Sequence, residues 1–98
     1  MYVLGIETHV AADCPGRDPE VMRQMANKLS PDNASNAGLR VVGAFMNCPQ
    51  PTTPGTHEGY FLVEASDEQS VATYFDPPCK LAVQQVWSIA EQVQKMMR

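Results

Sequence analysis

Apolar and polar positions alternate from the start of the chain. In MYVLGIETH, Tyr2, Leu4, Ile6 and Thr8 fall on one face and Val3, Gly5, Glu7 and His9 on the other, which predicts a strand over roughly residues 2–9. The period then changes. DPEVMRQMANKL puts Val21, Met22, Met25, Ala26 and Leu29 on one helical stripe, with Asp18 as N-cap, Pro19 at the first helical position and Glu20 favourable to the dipole. Pro31 ends that helix, and SPDNASNAG adds a further short turn before Gly38. LRVVGAFMNC predicts a second strand over roughly 39–48. EGYFLVEA predicts a third over roughly 58–65, and KLAVQQVWSI a fourth over roughly 80–89. Between the second and third strands CPQPTTPGTH carries three prolines and a glycine and reads as a loop. SDEQSVATYF opens with a capping box, Ser66 and Gln69, and predicts a helix over 67–75 that DPPC breaks; AEQVQKMMR forms a short C-terminal helix.

The element order is β-α-β-β-α-β, the α+β ferredoxin-like pattern, with no repeat or linker, so residues 1–98 read as one domain. Right-handed crossovers give a four-stranded antiparallel sheet in the order 4-1-3-2, with both helices on one face. The other face also carries apolar side chains and needs a cover. A second copy of the sheet supplies one, so the expected assembly is a homodimer.

Charge narrows the partners. A net charge of −4 with 7 Lys+Arg gives no cationic cluster for nucleic acid or for an anionic membrane surface. No apolar run reaches the roughly 20 residues of a membrane helix, and MYVLGIETH lacks the basic start of a signal peptide. Three cysteines, an odd number, do not form a disulfide framework; reduced thiols in the cytoplasm, or metal ligands, fit better.

The topology collects the soft donors. His9 and Cys14 follow strand 1, Cys48 ends strand 2, His57 starts strand 3 and Cys79 precedes strand 4, and all these positions share one end of the sheet. Thiolate and neutral imidazole bind Zn, Cu, Ni or Fe, and a tetrahedral site needs three or four such groups. Glu7, two residues before His9, shares its strand face as a further ligand or as an acceptor for imidazole N–H. His57 is the preferred third ligand after His9 and Cys14, because strands 1 and 3 are neighbours. The plainer alternative is a polar strand end beside three cysteines that serve as small buried apolar residues; no CxxC spacing argues for a structural zinc site. The 6 methionines sit mostly at core spacing.

The segments THVAADCPGRDPEV, GLRVVGAFMN, HEGYFLVEASD and VQQVWSIAE resemble the dimeric α+β barrel proteins. More narrowly, they resemble a group of small uncharacterised barrel proteins with a Thr-His…Cys-Pro signature after strand 1 and a histidine before strand 3. The resemblance implies two sheets packed face to face. It implies no single activity, because that superfamily spans cofactor-free monooxygenases, isomerases, haem-degrading enzymes and metal binders. Two functions follow as expectations. One is a homodimeric metal-binding protein with a Cys/His site at one end of the sheet. The other is a cofactor-free enzyme that holds a small apolar substrate between sheet and helices, with His9 or Glu7 as base.

Overall fold

A computed structural model describes all residues, Met1–Arg98. Its elements are β1 (Tyr2–Val10), α1 (Pro19–Leu29), α2 (Pro31–Asn36), β2 (Arg40–Met46), β3 (Thr56–Glu64), α3 (Glu68–Phe75), β4 (Ala82–Val86) and α4 (Ile89–Met96). The sheet is antiparallel throughout, in the order β2-β3-β1-β4, which is the expected ladder read from its other edge.

Several boundaries differ from expectation. The first strand continues one residue past His9, to Val10, and the third begins at Thr56, so His57 lies inside a paired strand rather than just before it and both histidines are within the ladder. Their backbones are held by the ladder. The fourth strand stops at Val86, the last residue for which β1 offers a partner, in the pair Tyr2↔Val86. Trp87 therefore leaves the sheet and is 63% exposed. The cap of α3 is Asp67, not Ser66: its carboxylate accepts from the Ser70 amide at 2.6 Å, and this bond holds its pKa below the usual aspartate value. Two single 3-10 turns, Ala11–Asp13 and Pro15–Arg17, separate β1 from α1, so Cys14 stands between turns and not at the helix start.

The core occupies the helix-covered face. Odd-numbered residues of β1 and β3 point there, and Val3, Phe61 and Val63 pack with Val71 and Phe75 of α3 and with Ala34 and Leu39. The Phe61 and Phe75 rings lie 5.0 Å apart. Tyr74 donates its hydroxyl to the Lys28 carbonyl at 2.6 Å, tying α3 to the end of α1; burial raises its pKa. The apolar stripe of α1 behaves differently. No α1 residue is fully buried: Met25 and Leu29 pack, partly buried, against the core cluster, and with Val21 and Met22 they also line a cavity between the helix and the sheet.

The second sheet face has no helix over it. Tyr2, Leu4, Ile6 and Leu62 are only half-buried there, and Phe45 is 70% exposed. No helix is long and apolar enough to cross a membrane.

Phe75 is fully buried at the centre of the cluster. Phe75→Ala should lower unfolding free energy by about 3–5 kcal/mol in urea titration, the usual cost of emptying a core aromatic site. A loss below about 1 kcal/mol would place the core elsewhere.

Candidate metal centre

The site begins with strand pairing. In the β1–β3 register His9 stands directly opposite His57, and cross-strand partners project to the same face. That face is also the one bearing Glu7, two residues earlier on β1. Sheet geometry alone therefore brings two imidazoles and a carboxylate together. His57 is 1% exposed and His9 is partly buried.

Cys14 arrives by a different route. The chain leaves β1 and turns at Ala11–Asp13; the Arg17 side chain donates to the Ala11 carbonyl at 3.0 Å, and the Arg17 amide donates to the Cys14 carbonyl at 3.0 Å. The Ala11 amide bonds the Gly55 carbonyl at 3.3 Å, fastening this turn to the start of β3. Gly55 has φ 99°, a conformation glycine adopts without the penalty other residues meet, and it delivers the loop into the strand two residues before His57. At Gly16 a Cβ would lie 2.9 Å from Pro51 Cγ, so only glycine lets the two loops close over Cys14. Cys14 is 8% exposed, and one donor atom from each of His9, Cys14 and His57 falls within 4.8 Å of the others.

The hydrogen bonds determine which ring nitrogens remain free. His57 Nε2 lies 2.5 Å from the Thr53 carbonyl, which can only accept, so that nitrogen carries its hydrogen. His9 Nδ1 lies 2.7 and 2.9 Å from the two Glu7 oxygens, so it too is the donor. In the neutral rings this leaves lone pairs on His9 Nε2 and His57 Nδ1, and these two nitrogens face each other at 3.2 Å. Two lone pairs at that distance repel unless something positive lies between them. A proton on one ring would do so, giving an ordinary N–H···N bond. A metal ion would do so as well. Two imidazole nitrogens bound to tetrahedral Zn at 2.0–2.1 Å stand about 3.3 Å apart, close to the spacing found here.

The remaining soft residues are nearby but outside this group. Cys48, just past the end of β2, and Cys79, before β4, are buried and line the same cavity as Glu7, His9 and Cys14. Burial, together with the negative charges of Glu7 and Asp76, pushes the Cys79 thiol up to about 11. Cys79 is thus a protonated thiol at neutral pH. The sequence placed all five donors at one end of the sheet; the structure gathers three of them and sets Cys48 and Cys79 in the cavity wall. Sequence reasoning did not reach the Thr53 carbonyl, a backbone group whose position depends on the loop path. Nor did it reach the cavity that the α1 stripe lines, although Met25 and Leu29 of that stripe do pack against the core. The stripe's methionines, flexible and adaptable, were the available signal that this face need not be tightly packed.

Because Cys79 holds its proton in the folded state to about pH 11 while an unfolded cysteine loses it near 8.5–9, the unfolded form binds fewer protons between these values. Metal-free protein should therefore lose stability as pH rises across roughly 9 to 11, and Cys79→Ala should flatten that limb of the stability–pH curve. An unchanged slope in denaturation series at these pH values would show that the thiol titrates normally.

No family model, curated protein or solved structure matches this chain.

Proposed function

We propose that the protein binds a transition metal ion through His9 Nε2, His57 Nδ1 and Cys14 Sγ, with Glu7 and Thr53 orienting the two imidazoles. The observation that carries this reading is the pair of facing lone pairs at 3.2 Å with a thiol beside them. A carboxylate on the far nitrogen of one ligand and a carbonyl on that of the other is the support that metal-bound histidines ordinarily have. Two imidazoles and a thiolate suit Zn, Cu, Ni or Fe over the hard cations. On this reading Cys48 and Cys79 are buried structural thiols and the chain is one domain, residues 1–98, in a reducing cytoplasmic setting.

We further propose the ferredoxin-like, dimeric α+β barrel arrangement, in which the helix-free sheet face meets that of a second copy. What supports it is the apolar row Tyr2, Leu4, Ile6, Phe45 and Leu62 left without cover. A cofactor-free enzyme is the second reading. It is favoured by the cavity of about 420 Å³ beside the Glu7–His9 pair, where the carboxylate could support His9 as a general base.

Titration of the reduced protein with Zn or Co should give one ion per chain. His9→Ala and Cys14→Ala should each weaken binding by about 100-fold or more, through loss of one of three inner bonds, while Glu7→Gln should cost about 10- to 100-fold. Cys48→Ala should leave affinity unchanged. Unaltered binding in both His9→Ala and Cys14→Ala would reject the metal site and leave the enzyme reading. Sedimentation equilibrium should give twice the 10.8 kDa chain mass at micromolar concentration, and a monomer would reject the dimer.

A further inference from the structure

We infer that the metal centre keeps a fourth coordination position for an uncharged, apolar small molecule, whose donor atom meets the metal and whose body occupies the cavity under α1. This inference rests on the proposed metal site and adds the class of ligand that the site takes. Three protein donors are one short of a tetrahedral shell, and three-donor sites with an open position are those that admit a substrate or water. The direction of that opening follows from burial. His57 is fully enclosed, with its rear nitrogen on Thr53, and it is not part of the cavity wall. His9 and Cys14 are part of that wall. The cluster accordingly opens on the cavity side, where the Cys48 and Cys79 thiols stand in the wall outside the three-donor group.

The wall specifies the occupant. Val21, Met22, Met25, Leu29, Ala44 and Phe61 present apolar surface from α1 and from the sheet. The cavity of about 420 Å³ has the size that small-molecule sites commonly have. Charge specifies the head group. The lining includes Glu7 and Glu58 and contains neither lysine nor arginine. A divalent ion is already balanced by the Cys14 thiolate and the Glu7 carboxylate. An anionic ligand would add a net negative charge to an apolar space with no cation to meet it, which is costly. A neutral nitrogen or sulfur donor on an apolar body adds none.

The test uses Co(II)-loaded, reduced protein, whose visible d–d bands respond to a change in the fourth ligand. Imidazole, 4-phenylimidazole and benzoate are the probes. The expected result is that 4-phenylimidazole perturbs the bands with an affinity at least about tenfold above imidazole, from burial of the phenyl ring, and that benzoate has no effect. Met25→Trp and Ala44→Leu fill the cavity from opposite walls without touching a ligand. In each, the phenyl advantage should vanish while Co(II) affinity and the imidazole response persist. Equal affinity for the two imidazoles in the unaltered protein, or benzoate binding as tightly as 4-phenylimidazole, overturns the inference and leaves the metal site standing. If Co(II) gives no bands and does not bind, the metal site falls and this inference falls with it.

Discussion

The site depends on the pairing of His9 with His57 across two hydrogen-bonded strands. Register fixes it. A slip of one residue between β1 and β3 would turn one imidazole to the opposite face and separate the pair entirely. The register is itself held by burial, since the same alternation that aligns the histidines sends Val3, Phe61 and Val63 into the core. At one end of the sheet this face is closed by α3 and packed solid. At the other it carries Glu7, His9 and His57, and a cavity lies between it and α1. A single alternating pattern therefore produces a packed half and a hollow half, and the polar cluster lies at the hollow end.

This division has an energetic logic. Buried polar groups are tolerated only when each donor and acceptor is satisfied, and no buried side-chain nitrogen or oxygen here lacks a partner. Glu7 and the Thr53 carbonyl take up two of the four imidazole nitrogens. The other two satisfy each other only if a proton or a metal ion lies between them. On the proposed metal reading the two imidazoles are already in place, and binding an ion displaces the Cys14 thiol proton and at most one proton shared by the imidazoles rather than rearranging the strands. The conformational demand falls on the loops, which bring Cys14 beside the two imidazoles and use Gly16 and Gly55 to do so.

Much of this was legible in the residues. Alternation in MYVLGIETH and HEGYFLVEA set the strand faces, and the β-α-β-β-α-β order set which ends share an edge. That sufficed to bring His9, Cys14 and His57 to one place. Three matters lay beyond it. The extent of β1 and β3 past the apolar run depends on pairing between two polar ends, which no local pattern announces. The separation of Cys48 and Cys79 from the cluster depends on loop paths through proline-rich segments, where backbone direction is not periodic. The cavity depends on how closely α1 approaches the sheet, and that is decided by packing of side chains distant in sequence.

X-ray absorption at the Zn edge of the reduced, metal-loaded protein addresses the central claim most directly, because it reads the donors around the ion. The account predicts two nitrogen neighbours at about 2.0–2.1 Å with the outer-shell scattering of imidazole rings, one sulfur at about 2.3 Å, and one further light donor. A shell of oxygens alone, or one with two or three sulfurs, would contradict it: the first would put the ion away from the two imidazoles, and the second would move it to the cysteines of the cavity wall.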